Sequence, residues 1–173
     1  MSYDFRRAAA ADAPAIWTIL QSAIARRKGD GSKQWQDGYP NPAVVQSDIE
    51  KGIGYVLTDN DIVIGYAAVL INDEPSYAAI EGEWLTNADF VVVHRVALSD
   101  AYVGKGLAGV IFRFIEDFAR SHAIYSIKVD ANFDNPAMMR TFEKLGYVYC
   151  GEVYFRSSPR RAYEKILRNE ESV

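Results

Sequence analysis

The chain has 173 residues, a length that suits one folded domain, and 49% of them are hydrophobic, which excludes a disordered chain. A net charge of −4 argues against a nucleic-acid partner, which would require a basic face. One cysteine and two histidines exclude an intramolecular disulfide framework and predict no metal site. The apolar runs are too short to span a membrane and no apolar leader opens the chain, so we expect a cytoplasmic protein.

Capping and turn patterns mark the elements in the first part of the chain. Asp12 precedes apolar residues at helical spacing, with Pro14 in the first turn, which predicts a helix. Asn41 before Pro42 predicts the start of a second helix. The turn residues 59–61 between two apolar runs predict a hairpin. The predicted bounds are a strand at 3–8, helices over 12–29 and 41–52, and strands at 55–58 and 62–71.

The second part of the chain predicts strands that alternate with helices. Segment 75–85 fits either a loop or a short helix, and an apolar stripe from Leu107 to Phe118 predicts a helix. Asn135 followed by Pro136 predicts the cap of another helix, which ends at Gly146. The predicted strands are 90–98, 124–130, 147–156 and 162–167. This order predicts a mixed α/β sheet in a single domain.

The most informative motif is Gly104-Lys-Gly-Leu-Ala108, which follows the predicted strand 90–98 after the spacer 99–103 and opens a helix. Glycines let a ligand approach the main chain closely, and the amides at a helix N-terminus carry about half a positive charge. The motif therefore predicts a binding site for a phosphate group.

Two other phosphate-binding classes can be compared with this motif. The letters from Gly104 to Gly109 match G-x-G-x-x-G of dinucleotide-binding enzymes, with Asp130 at the end of the next strand. The long spacer, the mid-chain position and the single strand–helix–strand unit are unlike that class, so a nicotinamide-dependent oxidoreductase is disfavoured. The sequence has no G-x-x-x-x-G-K-[ST], which excludes the P-loop NTPases.

Two blocks read together resemble a known family. The block 98–108 resembles the acetyl-coenzyme A motif of the GNAT superfamily of N-acetyltransferases, and 135–147 is similar to the family's second signature. The resemblance extends over residues 3–168. It implies a single GNAT domain over 1–173, with a mixed, mostly antiparallel sheet and helices on both faces, and acetyl-CoA as cosubstrate.

The sequence departs from the family pattern at two positions. Ala101 stands where glutamine or arginine is common, which removes one side chain near the diphosphate but no backbone donor. Phe142 stands where many members have the tyrosine that protonates the departing thiolate, and a phenyl ring has no proton to donate. Tyr147 is the predicted replacement acid, with Tyr149 and Tyr154 as alternatives, and a thiol can also leave without an acid.

The resemblance assigns the cosubstrate to three short segments. The strand end is expected to face the pantetheine arm and the thioester, the glycine turn the diphosphate, and two asparagines the pantetheine or phosphate region. The predicted contacts are Val96, Ala97 and Leu98 in the strand, Val103, Gly104, Lys105, Gly106, Leu107 and Ala108 in the turn, and Asn132 and Asn135.

His94 is the predicted general base. Strand alternation places His94 on one face with Val92, Val96 and Leu98, close to the expected thioester. The resemblance adds that arylalkylamine acetyltransferases carry a catalytic histidine at the matching strand position. An ordinary imidazole titrates near pH 6.5, which suits proton removal from an amine. The alternative is a half-buried histidine with only a structural hydrogen bond.

Four further side chains are predicted to contact the acceptor. Trp35, Tyr39 and Trp84 are large aromatics in loops, where core packing or a homodimer contact is the alternative. Glu81 is expected to orient a cationic amine, with solvated surface as the alternative. The sequence thus predicts acetyl transfer to a primary amine of a small molecule, peptide or protein by direct attack in a ternary complex. The alternative is a non-catalytic coenzyme A sensor with the same fold.

Overall fold

The structure is a computed structural model that describes residues 2–155 and 158–168. Its elements in chain order are β1 (Tyr3–Arg7), α1 (Ala13–Gly29), α2 (Pro42–Glu50), β2 (Gly54–Asp59), β3 (Ile62–Ile71), β4 (Glu81–Gly82), β5 (Val91–Leu98), α3 (Leu107–Ser121), β6 (Ser126–Asn132), α4 (Pro136–Lys144), β7 (Val148–Phe155) and β8 (Ser158–Ile166). The predicted order is confirmed, with the two-residue β4 added. Arg156, the last residue of a predicted strand, lies outside the described residues.

The chain forms two compact units, and β5 contributes residues to both. The first unit contains the chain up to Val69 together with His94–Phe112. Its strands β1, β2 and β3 pair antiparallel in sequence order. The predicted hairpin between β2 and β3 is confirmed: Asn60 and Asp61 have φ values of 48° and 70°, as expected for the two central residues of a tight hairpin turn.

Helices α1 and α2 supply five of the nine buried members of one hydrophobic cluster in the first unit. They pack on β2, β3 and the end of β5, and each fully buried isoleucine or leucine contributes about 1.5–3 kcal/mol. We call this the α1–α2 core; its buried members are Ala8, Ile16, Ile19, Leu20, Ala23, Val45, Val56, Tyr66 and Ala97.

The second unit contains Leu70–Val93 and the chain from Arg113 onward. Its strand order is β5-β6-β8-β7-β4, in which β5 and β6 pair in parallel at Val91–Ile127 and Val92–Lys128, while the other neighbours pair antiparallel. The predicted mixed, mostly antiparallel sheet is therefore confirmed. No helix within the two described ranges is long and apolar enough to cross a membrane.

Strands β4 and β7 meet at two glycines. A Cβ atom on Gly82 would lie 2.2 Å from the carbonyl oxygen of Cys150, and one on Gly151 would lie 2.2 Å from that of Glu81. Both glycines have φ near +140° (139° and 146°), a conformation that other residues rarely adopt. Gly82 lies in the segment 75–85, for which the sequence allowed either a loop or a short helix. The segment forms a 3-10 helix over Pro75–Ala79, and β4 follows it.

Candidate functional site

The glycine turn before α3 is an open main-chain cradle. Gly104 and Gly106 have left-handed φ values of 79° and 74°, and no atom lies within 4 Å of a Cβ built on either. Consecutive amides in such a turn form a concavity that binds anions, and the N-terminus of α3 at Leu107 adds its partial positive charge. The open space and the donor set fit a diphosphate group.

Side chains from elsewhere in the first unit hold the spacer before this turn. The Tyr102 hydroxyl donates to Asp59 at 3.2 Å. Arg26 pairs with Asp100 and donates from Nη2 to the Leu98 carbonyl at 3.0 Å. These bonds connect the spacer to α1 and β2. The Leu98 carbonyl, predicted to face the pantetheine arm, therefore already accepts a hydrogen bond.

The predicted cosubstrate contacts differ in what their side chains do. Ala97 and Leu107 are buried, so we expect any ligand contact from these two residues to use the main chain, whereas the half-buried Leu98 has its side chain against Gly65. Lys105 is exposed, with Nζ 5.4 Å from the centroid of the Tyr102 ring. The remaining predicted members of this set are Val96 and Ala108, both half-buried, and the exposed Val103.

His94 lies half-buried in β5, directly before a break in the strand pattern. Arg95 has a φ of 56°, a left-handed conformation that is rare for a residue with a side chain. The alternation predicted from Val92 to Leu98 therefore does not hold across Arg95. His94 stays a predicted base, and its orientation depends on this backbone break.

Arg95 is the centre of a buried polar group that we call the Arg95 cluster: Tyr39, Asp48, Tyr66 and Arg95. Arg95 donates from Nε and Nη2 to the two carboxylate oxygens of Asp48 at 3.0 and 2.7 Å, and from Nη1 to the Tyr39 hydroxyl at 2.6 Å. The Tyr66 hydroxyl donates to Asp48 at 2.5 Å. The side chains of Arg95 and Asp48 are only 12% and 5% exposed.

Burial and charge act in opposite directions on this cluster. Burial lowers the pKa of Arg95, but Tyr39 and Asp48 raise it by more, so the guanidinium stays protonated. Burial and the neighbouring Asp48 raise the pKa of Tyr66 far above its ordinary value, so the phenol also keeps its proton. The cluster is therefore a cation–carboxylate pair with a neutral tyrosine donor.

The two predicted acceptor residues of the 33–40 loop have different surroundings. Trp35 packs half-buried against the α1–α2 core, which supports the packing alternative for this residue. Tyr39 is half-buried, and its hydroxyl is held by Arg95. Tyr39 therefore occupies a defined position at the end of the loop.

The predicted residues of the second unit have structural partners. Asn135 caps α4, because its Oδ1 accepts from the Met138 N–H at 3.2 Å, as its position before Pro136 predicts. Asn132 donates from Nδ2 to Asp134 at 2.8 Å.

The tyrosines considered as acids differ in burial. Tyr147 is buried beside Phe142, and burial followed by Glu116 raises the pKa of Tyr147 well above its ordinary value, which makes it a weaker acid. The exposed Tyr154 donates to Glu81 at 2.8 Å, and this hydrogen bond is the main cause that raises the pKa of Tyr154 to about 12. Tyr149 is 53% exposed. Tyr147 stays a prediction.

Trp84 lies above a buried lysine in the second unit. Its Nε1 donates to the Tyr77 carbonyl at 2.9 Å, and Lys128 Nζ is 4.6 Å from the Trp84 ring centroid and 4.2 Å from that of Phe90. Burial lowers the pKa of Lys128. Trp84 thus has a packing role; a contact with the acceptor stays a prediction.

Asp48 and Arg95 are residues that the sequence predictions missed. Arg95 is a charged residue within the apolar strand β5, and Asp48 lies on the face of α2 that carries the buried Val45, three positions before it. A buried charge needs a partner, so two isolated opposite charges in buried elements are a signal that could have identified them.

Comparisons with known proteins identify the family. The model of the Acetyltransferase (GNAT) family matches residues 16–147. A GNAT acetyltransferase structure from Streptococcus agalactiae is 34% identical with a TM-score of 0.86, and the match covers 96% of each chain. At 20% identity, two more structures share the fold: a GNAT acetyltransferase from Listeria monocytogenes (TM-score 0.76, 95% of each chain) and yncA, a putative acetyltransferase from Salmonella typhimurium solved with acetyl-CoA (TM-score 0.67, 97% of this chain and 95% of that one). No curated protein matches the sequence. The chain belongs to the GNAT family of acetyltransferases.

Proposed function

We propose that this protein transfers the acetyl group of acetyl-CoA to a primary amine of a small molecule, peptide or protein. The observation that carries the proposal is the open pair of left-handed glycines, Gly104 and Gly106, at the start of α3. Family membership and the acetyl-CoA bound to the yncA protein support it.

In this proposal the main chain of the glycine turn binds the diphosphate. The amides from Gly104 to Ala108 donate to it, and Lys105 supplies a nearby positive charge. These donors need no side chain, which explains why Ala101 can replace the glutamine or arginine that is common in the family. Bound acetyl-CoA supplies an activated acetyl thioester.

His94 is the proposed base. A protonated alkylamine with a pKa near 10 is not a nucleophile at neutral pH, so His94 accepts its proton, directly or through a water. The amine nitrogen then forms a bond to the acetyl carbon as the carbon–sulfur bond breaks, and it gives up its second proton to water, which leaves a neutral amide. The sulfur leaves with the electron pair of that bond and takes up a proton. The proton comes from Tyr147 in this proposal, or from water, since an ordinary thiol has a pKa near 8.5.

Gly106→Val tests the cradle. The substitution places a branched side chain in the left-handed turn, and we expect titration calorimetry to show that acetyl-CoA binds at least about tenfold more weakly. Gly29→Ala is the control, because Gly29 lies at the end of α1 with no atom within 4 Å of an added Cβ. Equal acetyl-CoA affinity for Gly106→Val and wild type would contradict the proposal.

His94→Gln tests the base, and His122→Gln is the matched control. We expect release of free thiol with phenethylamine, spermidine or a lysine peptide to slow about 100-fold or more in His94→Gln, with acetyl-CoA affinity little changed. His122 is exposed at the end of α3, where its ring nitrogen lies 2.9 Å from the Phe118 carbonyl oxygen, so its loss should leave turnover unchanged. A wild type that binds acetyl-CoA but releases no thiol with any amine would favour the sensor.

A further inference from the structure

We propose that Arg95 and Asp48 are positioning residues for the acceptor amine: their buried ion pair fixes Tyr39 and thereby sets which amine the 33–40 loop admits. The inference rests on the proposed function, because the loop can select an amine only if the protein acetylates one. All members of the Arg95 cluster belong to the same compact unit.

Arg95 joins three elements through one side chain. Two of its donors hold both carboxylate oxygens of Asp48 on α2, and a third holds the hydroxyl of Tyr39 in the loop. Only the flat fork of a guanidinium presents these donors in fixed directions, and a lysine ammonium has no such geometry. The distance from β5 to Tyr39 is therefore set by the planar arginine head.

The cluster has two energetically unfavourable features, a buried ion pair and a left-handed arginine, and packing of the fold requires neither. A buried ion pair can often be replaced by apolar residues of similar volume without loss of stability, and the α1–α2 core already supplies such residues around Tyr66 and Ala97. Arg95 also adopts a left-handed conformation, which is rare and strained for an arginine within a strand. Strain of this kind persists where the surrounding structure requires a defined geometry, and in our proposal that geometry includes the position of Tyr39.

The cluster also connects the loop to the proposed base along the chain. His94 directly precedes Arg95 in β5. Arg95 therefore interrupts the strand next to the proposed base, and the same residue holds Tyr39 through its side chain. In the loop, Trp35 packs on the α1–α2 core, while Asp37 and Gly38 are exposed. The hydrogen bond from Arg95 fixes the loop at Tyr39, near the end of the loop. Loosening Arg95 should therefore affect acceptor binding more than cosubstrate binding.

Tyr39→Phe and Arg95→Lys test the inference. The probe is whichever of phenethylamine, spermidine and a lysine peptide the wild type acetylates best. We expect KM for this amine to rise about tenfold or more in both variants, while KM for acetyl-CoA stays within about twofold of wild type. Hydrogen exchange should show faster exchange of the 33–39 amides in Arg95→Lys.

Arg6→Lys is the matched control. Arg6 forms a two-pronged ion pair with Asp12 at 2.7 and 3.0 Å in the same compact unit, but this pair does not involve the 33–40 loop. We expect Arg6→Lys to lower the melting temperature slightly and to leave KM for the amine unchanged. The control separates the loss of an arginine fork in general from the loss of the fork that holds Tyr39.

Three results would overturn the inference: an unchanged KM for the amine in Tyr39→Phe, unchanged exchange of the loop in Arg95→Lys, or an equal rise in KM for the amine in Arg6→Lys. Tyr39→Phe removes one hydroxyl group, so it keeps the test decisive even if Arg95→Lys does not fold. A wild type that acetylates no amine would contradict the proposed function. Hydrogen exchange of the 33–40 loop tests whether Arg95 holds this loop, and it does so independently of turnover.

Discussion

Each of the two compact units buries a cation, and the two are held differently. Arg95 in the first unit has a carboxylate partner in Asp48, which keeps its pKa raised despite burial. Lys128 in the second unit is only 3% exposed and lies over the rings of Trp84 and Phe90, with the Thr86 carbonyl 3.4 Å from Nζ. Burial lowers its pKa by more than the charge of the buried Glu164 raises it.

The difference teaches what burial demands of each cation. An arginine cannot give up its proton, so the fold must supply a fixed anion and accept the geometry that comes with it. A lysine can lose its proton, and here ring faces, a carbonyl and the charge of the buried Glu164 surround it without raising its pKa to the ordinary value. We therefore expect the Arg95 cluster to be intolerant of single changes and the surroundings of Lys128 to depend on pH.

The largest effect is expected from Asp48→Ala. The change leaves the Arg95 guanidinium buried without its carboxylate and removes the acceptor of the Tyr66 hydroxyl, and we expect the free energy of unfolding to fall by about 3–5 kcal/mol. Urea denaturation measures it. Asp117→Ala is the control, because its carboxylate is 74% exposed and such a pair with Arg120 contributes about 1 kcal/mol or less. A similar loss in both variants would erase the contrast between buried and exposed pairs.

An intermediate effect is expected from Trp84→Phe. The smaller ring loses the Nε1 hydrogen bond to Tyr77 and part of its attraction for Lys128, together about 1–3 kcal/mol. Repeating the substitution in a Lys128→Met background isolates the attraction between cation and ring. If Trp84→Phe lowers the free energy of unfolding equally in the wild type and in Lys128→Met, the Trp84 ring stabilises the fold without a contribution from the Lys128 charge.

The smallest effect is a pH dependence carried by Lys128. Because its pKa in the folded state is below the ordinary lysine value, the unfolded chain binds more protons between the two values, and this residue makes the fold more stable as the pH rises through that range. At a pH below the folded-state pKa, the buried charge of Lys128 lowers the free energy of unfolding by its full amount. The gain in melting temperature of Lys128→Met over wild type should therefore shrink from pH 7 to pH 10. A constant difference would mean that burial does not penalise this charge.

Local chemistry made much of the fold and part of the site predictable. The turn at Asn60 and Asp61, the cap at Asn41 and the glycine turn before α3 are set by neighbouring residues and could be read directly. The Arg95 cluster could not, because Asp48 and Arg95 are 47 positions apart and nothing in the sequence marks the left-handed backbone of Arg95.

The aromatic loops show the same limit. Large aromatics in 33–40 and at Trp84 indicated a pocket or packing equally well, and the alternatives separate only when the neighbours are known. Trp84, for example, lies against Tyr77, which precedes it closely in the chain, and against Lys128, which follows far later in β6. No local sequence pattern connects Trp84 with Lys128.

The crossing of Gly82 and Gly151 has a consequence for how this protein can vary. Every other amino acid adds at least one carbon where only 2.2 Å separates that carbon from a carbonyl oxygen. In a library of all single substitutions selected for folded protein, both codons should therefore retain glycine alone. Backbone geometry alone is sufficient to fix these two positions of the gene.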